Sequence, residues 1–309
     1  MISSFFGKTK PINYIVLSVF LVLFYVLSSF FALDTGLISK EIPFKLLILF
    51  SLLLMVFAMG QMVRMEKVTD SNSYGMLFFV LLLGVFPHTY EQENIIFANF
   101  FILLAIWRLL SIKSIKNVKH KIFDASLLIC IASLFYEWAL AFLLIVFVVI
   151  NVYDRKNFKN WLIPFMGVGT IFILVFAILR VSGSMDFLWD HYRFSLETIS
   201  LSSLGNIGAK TLIYALLTLL TVFVVFLKMR KTGGGKLVQL RVVFLAFVLG
   251  LVIGWFAEED SSVVLFTIFP AAVFMANYIE SIRRTKLKEA ILALCILVTI
   301  VLFGFHLNW

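Results

Sequence analysis

The sequence is short of charge. Of its 309 residues, 14% are Asp, Glu, Lys or Arg, against about 25% in soluble domains. So few ionic groups cannot cover a water-exposed surface, which excludes a soluble globular protein and a disordered, solvating chain. Cysteine is equally scarce. Cys130 and Cys295 are the only two, each inside an apolar run, so a disulfide scaffold is excluded and both read as small core residues. No CxxC, HExxH or Ser-His-Asp spacing occurs. The glycine run Thr232–Lys236 has the wrong spacing for a phosphate-binding loop, and no strand signal precedes it, so it reads as a linker.

What is abundant is apolar. Hydrophobic residues make up 62% of the chain, 35 of them Phe, and the mean hydropathy is +1.06. Long apolar runs occupy 12–33, 44–63, 95–110, 161–179, 211–227, 263–279 and 290–305, with shorter ones at 76–87 and 242–256. The first run, Ile12–Leu33, is long enough as a helix for the roughly 30 Å of a bilayer core. It lacks the short core and small-residue cleavage site of a removable leader and reads as a retained first helix. The span 122–153 would be about 48 Å long as one helix, too long for ordinary tilt. Tyr136-Glu137-Trp138 interrupts it, so the expectation is two short helices with a tight turn at Glu137.

Charge distribution selects the same division. With eleven spans and the N-terminus inside, 21 of the 26 basic residues fall on the inner side, as the positive-inside rule requires. A single helix over 122–153 would move Arg155, Lys156 and Lys159 outside and invert everything after them. The net charge of +9 is thereby explained by topology, and no nucleic-acid partner is implied. Eleven of the 17 acidic residues fall outside, which the rule does not demand. The expected fold is therefore all-α: one integral membrane domain over 1–309, a polytopic bundle of about 11 helices. It has several short paired hairpins, the N-terminus inside and the C-terminus outside. The outer loop 181–210 carries Trp189, Tyr192, Phe194 and Leu196 among charges and suits an interfacial amphipathic helix.

The short segments decide where chemistry is expected. A helix over 76–87 rises about 18 Å, less than a bilayer core. Irregular backbone at that depth must be buried in protein or line a wet cavity. The turns Pro87–Asn94, Tyr136–Glu137 and Ala257–Ser262 are accordingly expected to meet at an outward-facing polar cavity. They would bring Glu258, Glu259 and Asp260 with them. Glu137, set between Phe135-Tyr136 and Trp138, is a candidate general base because desolvation raises a carboxyl pKa. The other reading is a turn carboxylate in water or paired with Arg180 or Arg193. His88 and Glu91, at i and i+3, with Glu93 nearby, form a candidate metal site. With few histidines, that site suits magnesium or manganese better than zinc; an ordinary polar turn is the alternative. Arg180, His191 and Arg193 are candidates for holding a lipid phosphate, against simple interfacial snorkelling. His306 reads as an interfacial residue beside Trp309.

Two resemblances add expectations. The opening Ser4-Phe5-Phe6-Gly7-Lys8-Thr9-Lys10-Pro11-Ile12-Asn13-Tyr14 and the Phe-rich helices after it resemble, over the whole chain, an uncharacterised family of polytopic inner-membrane proteins of flavobacteria and relatives. That resemblance implies a bacterial inner-membrane location. The order of a long helix, an outer acidic residue and short helix pairs is similar to the GT-C membrane glycosyltransferases that use polyprenyl-phosphate sugars. In those enzymes a catalytic carboxylate lies in the first outer loop, and Asp34 matches that position. The loop 34–43 is shorter than that family's, and Asp34 is followed by Thr35 rather than a second acid. The resemblance implies a transferase acting on lipid-linked sugar at the outer face, with membrane lipids and polyprenyl phosphate as partners. A non-catalytic subunit of an envelope assembly or export complex is the second expectation, and a transporter the third. In a background lacking Cys130 and Cys295, Glu137→Cys is expected to react with a membrane-impermeant thiol reagent added from outside. Labelling from the cytoplasm alone would refute this topology.

Overall fold

A computed structural model describes residues 2–31, 42–114, 116–192, 208–229, 234–256 and 264–307. These form thirteen α-helices, with no strand among the described residues. In chain order they are α1 Ile2–Phe6, α2 Pro11–Phe31, α3 Ile42–Glu66, α4 Tyr74–Val85, α5 Glu93–Leu110, α6 Val118–Phe135, α7 Leu143–Tyr153, α8 Phe158–Ser182, α9 Asp186–His191, α10 Ala209–Met229, α11 Gly234–Phe256, α12 Leu265–Glu280 and α13 Thr285–Leu307. Short 3-10 turns occupy Pro87–Tyr90, Ser111–Ser114 and Glu137–Phe142. Seven helices are long and apolar enough to cross a membrane: α2, α3, α5 (with the turn after it), α8, α10, α11 and α13. The protein is a polytopic helical membrane bundle.

The two short apolar helices α4 and α12 form its centre. Every residue of α4 from Tyr74 to Gly84 is buried, because α2, α3, α12 and α13 pack around it. In α12 thirteen of sixteen residues are buried, against α4, α5, α10 and α11. Neither helix has an amphipathic stripe, as expected for helices surrounded on all sides. The outer helices do the opposite. In α8 only Asn160, Pro164 and Gly167 are buried, while Phe165, Met166, Phe172 and Ile173 are exposed, the burial expected of a helix bathed in lipid.

The span 122–153 divides as the charge argument requires. Helix α6 ends at Phe135, Tyr136 is extended, the turn Glu137–Phe142 follows, and α7 runs back. The linker expectation for Thr232–Lys236 is corrected in part: α11 begins at Gly234 and takes in Lys236. Lys236 is anchored there by ion pairs to Asp70 and Glu280. In the loop 181–210 a helix forms, but it is the six-residue α9; residues 193–207 lie outside the described residues.

Contacts between helix ends sort the connections into two sets. At the basic end, Lys113 meets Glu66 at 3.2 Å, Asn72 Nδ2 donates to Glu280 Oε1 at 2.7 Å, and Lys228 Nζ donates to Ser281 Oγ at 2.8 Å. The N-terminus docks at this end too. The Ile2 and Ser3 amides and the Ser3 hydroxyl donate to the Glu289 carboxylate. Asn13 Nδ2 donates to Lys8 O and Ser73 Oγ. At the other end, Tyr25 Oη donates to Lys45 O and packs edge-on to Tyr90.

Helices approach closely where small residues allow it. A Cβ on Gly250 of α11 would stand 2.8 Å from Thr267 Cγ2 and 3.3 Å from the backbone carbon of Phe266 on α12. Backbone cannot give way as a side-chain tip can. Gly250→Leu is therefore expected to cost about 1–3 kcal/mol through overpacking, several degrees of Tm in detergent. Gly169→Ala, on the open face of α8 with nothing within 4 Å, is the control expected to shift it little.

Candidate functional site

The turn after α4 is built by sequence-local chemistry. Pro87 opens a 3-10 turn, having no amide hydrogen to lose there. Thr89 ties the turn down: its amide and hydroxyl both donate to Phe86 O, at 3.0 and 2.7 Å. The Glu91 amide donates to His88 O at 3.2 Å. Phe86, Pro87, Thr89 and Tyr90 are buried while His88 and Glu91 are exposed, so the turn has a fixed apolar base and a polar rim. Tyr90 Oη has no hydrogen-bond partner among the described residues. Burial pushes its phenol far above the usual range, so it stays protonated.

In a 3-10 helix residues i and i+3 eclipse. That places His88 Nδ1 3.9 Å from Glu91 Oε1. The last turn of α13 brings His306 against them, its ring edge-on to His88 with centroids 4.3 Å apart. Donor atoms of His88, Glu91 and His306 all lie within 4.8 Å of one another. Lys210, in the first turn of α10, adds a half-buried ammonium: its Nζ stands 5.1 Å from the centre of the Phe86 ring, an attractive cation–π geometry. One edge of the bundle thus combines two imidazoles, a carboxylate and an ammonium.

Glu137 sits in a second group. It opens the turn after α6 and is half-buried. Its charge reaches Tyr192, whose phenol is pushed up mainly by burial, against a hydrogen bond with Ser133 at 3.0 Å. His191 is engaged here: Nε2 lies 2.7 Å from Ser133 O, and its ring stacks on Phe187 with centroids 4.9 Å apart. That bond fixes α9 on the end of α6. Arg180 is exposed in the last turn of α8. Glu93 opens α5, outside the trio of converging donors. Helix α12 joins the two groups: Phe266 packs on Tyr136, and Thr267 shares a 2.9 Å hydrogen bond with Tyr214, whose ring meets Phe86. Asp34, Arg193, Glu258, Glu259 and Asp260 lie outside the described residues. Apolar surface grooves run along Tyr14, Val19 and Leu53 and at Ala177–Ser182.

The sequence places His306 only as an interfacial residue and offers no role for Lys210. Both come from distant parts of the chain, and neither lies in a motif. The signal was parity: alternation of the spans puts residues 88, 210 and 306 at the same end. Glu280, a carboxylate of the basic end with 7% side-chain exposure, likewise lies in no motif. Asn72 and the Asp70 amide donate to one of its oxygens, and Lys236 faces the other at 3.6 Å. This satisfied network joins the α3–α4 turn, α11 and α12, and its chemistry is structural. No curated protein and no solved structure matches the chain. Residues 8–308 match the family of unknown function DUF6427, and the chain belongs to that family.

Proposed function

We propose that the protein resides in a bacterial inner membrane with its basic end in the cytoplasm, and that its opposite end handles a lipid-linked anion. The reaction would be a GT-C-like transfer from a polyprenyl-phosphate sugar. The observation that supports this reading is that Lys210, over the ring of Phe86, shares the non-basic end with the converging His88, Glu91 and His306. Transfer from a lipid phosphate needs a cation for the phosphate and an acid–base group within reach, both at the level where the headgroup lies. Lys210 supplies the first. Its placement in the first turn of a spanning helix puts an ammonium at the membrane boundary, where its stem stays in apolar surroundings. Arg180, in the last turn of α8, and Arg193 are further cations for the same headgroup. Asp34 and Glu137 are the proposed general bases.

A second reading, the envelope or export subunit, is favoured by α8. That helix is held through α6 and α7 and presents Phe165, Phe172 and Phe176 outward, a face as suited to a partner helix as to lipid.

The test uses the full chain in nanodiscs, with a polyprenyl monophosphate and its sugar-charged form as probes. Native mass spectrometry is expected to show bound polyprenyl phosphate, weakened about tenfold in Lys210→Ala, as loss of one charge-assisted contact implies. Consumption of the charged lipid is expected to fall sharply in Asp34→Asn and Glu137→Gln. Unchanged lipid affinity in Lys210→Ala, with no turnover by the unaltered chain, would overturn the transferase reading. A protein partner lost on substituting Phe165 and Phe172 by Ser would then establish the subunit.

A further inference from the structure

We propose that His88, Glu91 and His306 form a binding site for a divalent transition-metal cation of the zinc class. The site deepens the lipid-handling reading by placing a metal beside the proposed phosphate cation, Lys210.

The convergence is tertiary. His88 and Glu91 face the same way because the 3-10 turn repeats every three residues. His306 arrives from the last turn of α13, at the far end of the chain. The three donor atoms lie within 4.8 Å of one another. Tetrahedral ligands at 2.0–2.2 Å from zinc stand about 3.4 Å apart. The spacing therefore needs only small side-chain rotations, which the exposure of His88 and Glu91 permits.

The backbone beneath them does not need to move. The buried Phe86, Pro87 and Tyr90, with the Thr89 bonds to Phe86 O, hold the turn, the support that keeps ligands in register. On the α13 side, Phe303 is buried against Phe24 at 4.8 Å between ring centres, one turn before His306.

Donor chemistry selects the metal. Two imidazoles and one carboxylate are the borderline-soft set that binds zinc, cobalt or nickel. Magnesium demands oxygen ligands and retains its waters. The sequence-level preference for magnesium or manganese rested on a set of one histidine and two carboxylates; His306 in place of Glu93 reverses that preference. Three protein ligands leave a fourth position open, the arrangement of catalytic rather than structural sites. The Lys210 ammonium, held over the Phe86 ring at the same end, disfavours a bare cation and favours an anion at the open position.

The experiment titrates the full chain, purified without a histidine tag, with zinc chloride alone, following heat of binding and metal content after dialysis. Cobalt serves as a spectroscopic probe of coordination. One zinc per chain is expected, displaced poorly by excess magnesium. His306→Ala and Glu91→Gln are each expected to weaken it at least about tenfold. His191→Ala, at the Ser133 contact away from the trio, is expected to leave it unchanged. Melting temperature and elution volume of each variant confirm folding. Absence of stoichiometric zinc in the unaltered chain, or full binding by folded His306→Ala, overturns the site, and equal competition by magnesium overturns the choice of metal. Lys210→Ala separates this outcome from lipid binding: it is expected to tighten zinc severalfold while weakening polyprenyl phosphate. Zinc without lipid affinity refutes the lipid reading alone.

Discussion

The architecture depends on one constraint: backbone amides and carbonyls placed in hydrocarbon must find their partners within the protein. Helices satisfy it internally, but only along their length. A helix of twelve residues such as α4 covers about 18 Å and leaves its last carbonyls at a depth where lipid would surround them. The fold resolves this by burying α4 from Tyr74 to Gly84, and most of α12, inside a ring of longer helices. The backbone beyond α4 can then depart from α-helix, because protein rather than lipid encloses it. The tight turn at Pro87–Tyr90 exists under that protection.

A polar rim on an apolar base follows directly. Within one turn, Phe86, Pro87, Thr89 and Tyr90 face the packed interior while His88 and Glu91 reach outward. Lys210 and His306 come to the same place because α10 begins and α13 ends there. The basic end shows the complementary solution. There the buried carboxylate of Glu280 is enclosed by Asn72, the Asp70 amide and Lys236. A buried charge persists only when its hydrogen-bonding capacity is met, and this network meets it with groups from two other connections. The basic end thus encloses its Glu280 carboxylate in a hydrogen-bonded network, and the other end leaves titratable groups at a rim.

Much of the fold was legible because hydropathy and charge act over windows of about twenty residues. The break at Tyr136–Glu137 followed from the length of 122–153 and from where Arg155, Lys156 and Lys159 had to lie. Other features were not legible in the same way. Within α11, Lys236 makes ion pairs with residues from two other connections, and a glycine run read alone carries no trace of them. The candidate site was half visible: His88 and Glu91 share one local turn, so their spacing in the chain reports their spacing in space. His306 has no such relation to them. His191 illustrates the reverse. Its chain position beside Arg193 suggested anion binding, while its ring nitrogen faces the Ser133 carbonyl.

The amino-acid sequence by itself settled that the chain is a helical membrane bundle and where its helices break, because those outcomes depend on transfer of contiguous segments into hydrocarbon. Which helices lie at the centre was decided in three dimensions: α4 and α8 are both strongly apolar, yet eleven of twelve residues are buried in one and three of twenty-five in the other. The meeting of His306 and Lys210 with His88 and Glu91 was decided there too. Side chains come within a few ångströms through the packing of whole helices, and that packing is a property of pairs of surfaces rather than of any one stretch of residues.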